Sequence, residues 1–225
     1  MATLGQDIPD IEITIPEEEA DRIEVVEVGD EIEVAVLKKV SGADFKSEDL
    51  ADKAESGKTT TFKGKKVADS SVTSKSQKGE ESTIAFNTTK LNNIEIEGKG
   101  KGAAVVKVKT GLFNNSSIKF NKKSADSIQF NNRVEVRNAT IDGGRGADSI
   151  TFKENTVIKG TNEITLGQGA DVLELPADKK GNGKIVITDL ANNDTIKIGN
   201  DSFSGRAILN GEVELPKYIE IQGLD

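Results

Sequence analysis

One short phrase recurs four times between Ser124 and Gly199 and constrains the fold more than any other feature of the chain. Each copy is an aspartate followed, after one residue, by two apolar residues that are themselves separated by one residue. The aspartates of successive copies are 22, 23 and 23 residues apart: Asp126, Asp148, Asp171 and Asp194. A fixed period of this length is typical of proteins in which similar coils stack on one another.

Apolar residues follow the same period over a longer stretch of the chain, with steps of 22 to 24 residues. The phrase column comprises Ile84, Val106, Ile128, Ile150, Leu173 and Ile196, each followed two positions later by Phe86, Val108, Phe130, Phe152, Leu175 and Ile198. The isoleucine column comprises Ile94, Ile118, Ile141, Ile164 and Ile187, and a third column comprises Leu112, Val134 and Val157. Independent columns that share one period argue for a stack of coils whose apolar faces cover one another.

The period predicts an all-β fold, a three-faced parallel β-helix with 22–23 residues per coil and about six coils over residues 83–200. In one coil the predicted strands are Ser149–Phe152, Thr156–Ile158 and Glu163–Leu166, with Gly, Asn and Asp at the corners. Apolar residues at alternate positions are expected to point inward, and four residues are expected to point outward: Ser149, Thr151, Glu174 and Lys197. A globular antiparallel sandwich is the alternative, but it would not require a constant period.

The chain before residue 83 is predicted to form two parts. Within residues 1–40, apolar and polar residues alternate from Asp10 onward, and Gly29-Asp30 separates Ile23–Val28 from Ile32–Val40, which is typical of a hairpin. We therefore predict a small β unit there. Residues 41–82 are rich in Lys, Ser, Thr, Asp and Gly and are predicted to be a polar linker or irregular cap. An irregular first coil around three apolar residues is the alternative: Phe62, Val67 and Val72.

Both ends of the chain have features that suggest a role. Residues 7–33 contain twelve acidic residues and a single basic one, Arg22. This region is either a solvated face or an acidic attachment arm for a basic partner surface. Residues 201–225 are predicted to be a cap, because the open end of a solenoid exposes strand edges. The residues expected to cover that end are Phe203, Ile208, Leu209, Val213, Leu215, Ile219 and Ile221.

Composition excludes several kinds of chemistry. The 225 residues include no Cys and no His, so thiolate sites, disulfides and histidine catalysis are absent. A formal net charge of −8 argues against general affinity for nucleic acid. No apolar run approaches the roughly 20 residues that span a bilayer, and the N-terminus lacks the pattern of a secretory signal peptide. We expect neither a nucleic-acid nor a membrane partner.

One corner of the repeat resembles a known family. Residues 143–151, Gly-Gly-Arg-Gly-Ala-Asp-Ser-Ile-Thr, match the nine-residue motif of repeats-in-toxin (hemolysin-type) calcium-binding proteins, and residues 167–173 match it nearly. Residues 185–196 are similar to the closing segment of such arrays. The resemblance implies that the carboxylates of Asp148 and Asp171 bind Ca²⁺. Nearby main-chain carbonyls, at Gly144, Gly146, Gly167 and Gly169, would supply the other ligands. The alternative is that the four repeated aspartates form a ladder that hydrogen-bonds corner N–H groups.

A β-helix with a small N-terminal attachment unit resembles bacteriophage tail, fibre and capsid-decoration proteins. That resemblance implies a structural, non-enzymatic virion component whose N-terminal region docks to capsid or tail proteins, with no required cofactor. Such proteins are often homo-oligomers, trimers in particular. The expected location is the virion, or alternatively the extracellular space if the chain is a secreted or surface calcium-binding protein of the repeats-in-toxin type.

A polysaccharide-cleaving enzyme on a β-helix is a third hypothesis. Such enzymes need paired carboxylates in a groove, and two pairs are available, Asp189 with Asp194 and Asp171 with Glu174. The chain contains no Trp and a single Tyr, however, so aromatic platforms for sugar rings are lacking. We therefore expect no enzymatic activity.

Overall fold

The computed structural model describes residues 2–4, 11–15, 17, 22–28, 31–36, 40–41, 44–47, 59–76, 78–120 and 123–223. Within these ranges the chain is nearly all β and winds into a parallel β-solenoid, which confirms the predicted fold class. Each coil has three faces, and each face pairs in parallel with the same face of the neighbouring coils.

Six strands precede the first complete coil. They are β1 (Ala2–Leu4), β2 (Ile11–Ile15), β3 (Ile23–Val28), β4 (Glu31–Val36), β5 (Val40–Ser41) and β6 (Asp44–Ser47). Antiparallel pairs join β1 to β2, β2 to β6 and β3 to β4. The pairing of β3 with β4 is that of the predicted hairpin, although its second strand ends at Val36 and not at Val40.

The first two complete coils are long strands that bend around all three faces, β7 (Thr59–Ser76) and β8 (Glu81–Gly100). They pair in parallel from Thr59 with Thr83 to Ser76 with Gly100. Strands β4, β5 and β6 pair in parallel with successive parts of β7 and so place a further coil before it. The parallel stack thus starts well before residue 83.

The linker or irregular cap predicted for residues 41–82 is therefore wrong over β7. Phe62, Val67 and Val72 are 1%, 0% and 3% exposed, and each occupies a different face, in agreement with the alternative of a first coil. One apolar side chain per face is enough, because the next coil supplies the rest of the core. The Ser, Thr and Lys residues between them suit the outer positions of a coil.

The later coils are divided into short strands. These are β9 (Ala103–Val108), β10 (Leu112–Asn114), β11 (Ser117–Phe120), β12 (Ser127–Phe130), β13 (Glu135–Arg137), β14 (Thr140–Asp142), β15 (Ser149–Phe152), β16 (Val157–Lys159), β17 (Thr161–Thr165), β18 (Val172–Leu175), β19 (Lys184–Ile187) and β20 (Thr195–Ile198). The first face is the ladder of β9, β12, β15, β18 and β20. The second face contains β10, β13 and β16, and the third face contains β11, β14, β17 and β19. Strands β7 and β8 contribute to all three faces.

The first face confirms the phrase column. Consecutive members of that column are register partners in every coil from Ile84 to Ile196, and each is at most 3% exposed. The phenylalanines two positions later also stack, with ring centroids of Phe62 and Phe86 5.0 Å apart and those of Phe130 and Phe152 4.9 Å apart. Thr151, expected on the outer surface, is only 8% exposed, because its ladder neighbours Gln129 and Glu174 have longer side chains.

The other two predicted columns need correction. In the third face the isoleucines from residue 118 to residue 187 are in register, but Ile118 is opposite Ile96, not Ile94. In the second face the third column is wrong, because Leu112 and Val157 are both partners of Glu135 on the outer side. The buried column of that face is Leu91, Phe113, Val136 and Ile158.

The C-terminal residues close the stack. They form β21 (Asp201–Ser204), the short helix α1 (Gly205–Leu209) and β22 (Ile219–Ile221). Strand β21 folds back antiparallel on β20, and β22 continues the third face beyond β19. Of the predicted cap residues, Ile208 and Ile219 join the core, Leu209 is half-buried outside it, and the others pack against it: Phe203, Val213, Leu215 and Ile221.

Candidate functional site: the aspartate ladder

The four repeated aspartates lie in the corner between the third and first faces. Their side chains are between 1% and 3% exposed. Each Oδ1 accepts the main-chain N–H of the equivalent residue one coil earlier. Ala104 donates to Asp126, Asp126 to Asp148 and Asp148 to Asp171 at 2.7 Å, and Asp171 donates to Asp194 at 3.1 Å. The alternative prediction of a ladder that bonds corner N–H groups is therefore confirmed.

The end of the ladder is held by a second carboxylate. Asp194 also accepts the N–H of Ala191 through Oδ2 at 2.7 Å. Asp189 accepts two neighbouring main-chain N–H groups, that of Leu166 through Oδ1 at 2.7 Å and that of Gly167 through Oδ2 at 2.8 Å. The segment similar to the closing part of repeats-in-toxin arrays thus connects the last coils through carboxylates that accept main-chain N–H groups.

Burial makes the ladder electrostatically unusual. Desolvation raises the pKa of Asp148 to about 7, opposed by the hydrogen bond from Asp126 N–H and assisted by the charges of Asp126, Asp171 and Asp142. Desolvation is also the largest cause that raises the pKa values of Asp171 and Asp194. The Oδ2 atoms of Asp148 and Asp171 are buried and accept no hydrogen bond in the described part of the chain. Uptake of protons relieves the repulsion between stacked carboxylates.

Several of the predicted calcium ligands already accept hydrogen bonds in the corner. The Oδ1 atoms of Asp148 and Asp171 are taken by main-chain N–H groups, and the carbonyl of Gly144 accepts the N–H of Gln168 at 2.8 Å. The carbonyl of Gly169 accepts the side-chain amide of Asn193. Ca²⁺ needs six to eight oxygen ligands. Among the described residues, no group of three or more acidic side chains is arranged to hold a metal ion.

The corner glycines have a steric explanation that needs no metal. A Cβ on Gly169 would collide with the carbonyl oxygen of Gly146, and a Cβ on Gly146 would collide with that of Ser124. Likewise, a Cβ on Gly167, which has a φ of +100°, would collide with the carbonyl of Gly144. The glycines therefore allow successive corners to stack at the spacing of the sheet.

The groove outside this corner is also unfavourable for a cation. It is lined by Lys123, Asp142, Arg145, Thr165 and Gln168, together with the glycine backbone. Asp142 is the only carboxylate in that lining, and its Oδ1 accepts the N–H of Gly144 at 3.0 Å. The groove is therefore lined by two exposed basic side chains and by one carboxylate that already accepts a hydrogen bond, so its net charge is positive.

The carboxylate pairs considered for polysaccharide cleavage are not arranged for that chemistry. Both oxygens of Asp189 and both oxygens of Asp194 accept main-chain N–H groups. Asp171 is buried in the corner, whereas Glu174 lies on the outer side of β18. Neither pair presents one acid and one base to a shared substrate, as glycoside hydrolysis requires.

A second ladder, which the sequence analysis missed, lies in the corner between the second and third faces. Its members all have positive φ, namely Asp69, Asn93, Asn115 and Asn138 at +46° to +52°, followed by Gly160 at +60°. Asn93 donates to Asp69 at 2.8 Å and Asn138 donates to Asn115 at 3.1 Å. The signal was available, because each Asn or Asp lies two residues after a buried residue of the second face. These side chains line a shallow polar groove across four coils.

Comparison with protein-family models, with curated proteins and with solved structures finds no match for this chain. Among the described residues, there is no helix long and apolar enough to cross a membrane.

Proposed function

We propose that the chain is a structural, non-enzymatic component of a bacteriophage virion, a capsid-decoration or tail-associated protein. The solenoid is its rigid displayed part, and the N-terminal region docks it to other virion proteins. The identity of the particle rests on the resemblance of this architecture to phage tail, fibre and decoration proteins.

The observation that supports this proposal most is the use of the repeated aspartates. All four are buried and accept main-chain N–H groups between coils, so the motif that dominates the sequence serves the stack itself. A chain whose repeated carboxylates hold its coils together is suited to a load-carrying or spacing role. The closed C-terminal end supports display, because a strand edge that is covered does not recruit further chains.

The experiment uses particles purified from a lysate on a density gradient. Antibodies are raised against the C-terminal cap, residues 201–223, and against the acidic segment, residues 7–33. We expect the chain to sediment with the particles in a fixed ratio to the major capsid protein. The cap antibody should label intact particles, and the acidic-segment antibody should label them only after disruption. Recovery of the chain solely in the soluble fraction would refute the virion role, and labelling of intact particles by both antibodies would refute the docking orientation.

A further inference from the structure

The corner between the first and second faces carries an edge that is rich in basic charges. Over the coils of β7, β8, β9–β10 and β12–β13, seven cations lie in or beside this corner: Lys63, Lys65, Lys66, Lys90, Lys107, Lys109 and Arg133. The corresponding ranges 61–68, 85–92 and 107–114 contain no Asp or Glu. In the fourth coil the ladder position of Lys66 and Lys90 is occupied by Glu135, which is already paired with Arg137 and Lys159. We call this surface the basic edge. With coils about 4.8 Å apart, it extends roughly 14 Å along the stack.

Six of the seven cations of the basic edge are exposed or half-buried and have no ion-pair partner among the described residues. Lys65, Lys109 and Arg133 are exposed, and Lys66, Lys90 and Lys107 are half-buried. Within the described part of the chain, none of these six is in a salt bridge. Elsewhere on the solenoid some cations are paired, as Lys159 is with Glu135 at 2.8 Å and Lys184 with Glu220 at 2.7 Å.

The charge that would complement the basic edge is in the same sequence. Residues 7–33 carry twelve acidic residues against one basic residue, whereas residues 34–123 carry 18 lysines against ten acidic residues. Glu17 and Glu24, which lie in the acidic segment, are exposed. The acidic segment and the basic edge therefore carry opposite charges and attract each other when they come into contact.

The described acidic strands β3 and β4 lie at the end of their own stack. Strand β4 pairs with the first-face part of β7, and β3 pairs with β4, so these strands extend the stack beyond its first coil. The basic edge runs in the opposite direction, from β7 toward β12. The acidic strands of one chain are therefore held at the end of the stack and do not lie along its side.

Nucleic acid fits this surface less well than an acidic polypeptide. The phenylalanines in these coils are buried, since Phe62, Phe86, Phe113 and Phe130 are at most 1% exposed, so the edge offers no aromatic side chain for base stacking. A polyanion would also approach a chain with a net charge of −8.

We propose that the basic edge binds the acidic segment, residues 7–33, of a second copy of this chain. Because each copy carries both surfaces, a two-fold pair satisfies both in one closed dimer. The inference deepens the proposed docking role by naming one surface that the acidic segment recognises. It concerns the purified chain, so its failure would be distinct from a failure of the particle experiment.

The test measures the mass of the purified full-length chain by sedimentation velocity at about 0.05 M and about 0.5 M salt. We expect a dimer at low salt that dissociates at high salt. An edge variant with Lys65→Glu, Lys109→Glu and Arg133→Glu should dimerise at least about tenfold more weakly. The matched control reverses the same number of exposed lysines away from the edge, Lys119→Glu, Lys197→Glu and Lys217→Glu, and should dimerise like the parent.

A charge-swap arm distinguishes direct contact from a general effect of charge. A chain with Glu17→Lys, Glu18→Lys and Glu19→Lys should fail to dimerise alone but should form a mixed dimer with the edge variant. Circular dichroism of every variant establishes that it is folded. A monomeric parent at low salt, an edge variant that dimerises normally, or no mixed dimer would each overturn the proposal. So would a parent that binds a DNA oligonucleotide through the edge while remaining monomeric.

Discussion

The buried aspartate ladder predicts that acid stabilises this protein above about pH 4. Asp148 has a pKa of about 7 in the folded chain, against an ordinary value of 3.8. Between these values the folded state binds a proton that the unfolded state does not bind. The stabilisation from this group is therefore fully present below the unfolded value and is lost as the pH rises through about 7.

The magnitude follows from the linkage relation. Each pH unit between the two pKa values changes the free energy of unfolding by about 1.4 kcal/mol per group. Lowering the pH from about 8 to about 5.5 should therefore add about 2 kcal/mol from Asp148 alone. The raised pKa values of Asp171 and Asp194 act in the same direction. Glu135, whose pKa is lowered by its bonds to Lys159 and Arg137, has the opposite effect only at more acidic pH.

The assay is urea unfolding of the parent and of Asp148→Asn at about pH 5.5, 7 and 8. Asparagine keeps the Oδ1 acceptor for Asp126 N–H but cannot ionise, so the variant should lose about 2 kcal/mol of the gain between pH 8 and 5.5. Asp178→Asn, an exposed turn substitution, is the matched control and should leave the gain unchanged. Equal gains in the parent and Asp148→Asn, or a parent that is less stable at pH 5.5 than at pH 8, would refute the reasoning.

Three further predictions concern the core, the corner and the cap. Phe130→Ala should lower the free energy of unfolding, measured by urea denaturation, by about 3–5 kcal/mol, because the ring is fully buried between Phe113 and Phe152. The control Gln129→Ala, on the same strand, should change it by less than about 1 kcal/mol. A chelator of Ca²⁺ should leave the melting temperature unchanged, and a fall of several degrees would restore the calcium hypothesis. Deletion of residues 207–225 should give insoluble or filamentous material by light scattering, because the third-face edge and the core end are uncovered, and a soluble, monodisperse product would contradict this.

The sequence predicted the structure most accurately where the same type of residue recurs at the same position of successive coils. The phrase column and its aspartates are correct because both the inward position and the corner demand a narrow choice of residue. The third predicted column failed because Leu112 and Val157 are apolar at outer positions. The corner between β12 and β13 is also longer than that between β9 and β10, so a constant step chose Val134, which is buried but lies in the corner, instead of Val136 on the second face.

The start of the solenoid could not be predicted from composition. In β7, one apolar residue per face is covered by the coil above it, so most of the strand is free to be Ser, Thr or Lys. The glycines of the calcium motif have a second explanation, because glycine is needed wherever successive corners stack closely. Spacing and residue type do not distinguish a carboxylate that binds a cation from one that accepts a main-chain N–H.

A disulfide cross-link between neighbouring coils tests the in-register stack most directly. The chain contains no cysteine of its own, so only the introduced pair can react. Lys107 and Gln129 are 22 residues apart in sequence but are direct ladder partners on the outer side of the first face. A double variant with Lys107→Cys and Gln129→Cys should form an intramolecular disulfide under mild oxidation, whereas Lys119→Cys with Gln129→Cys, on different faces, should not. Efficient cross-linking of the second pair and none of the first would contradict the stacked solenoid.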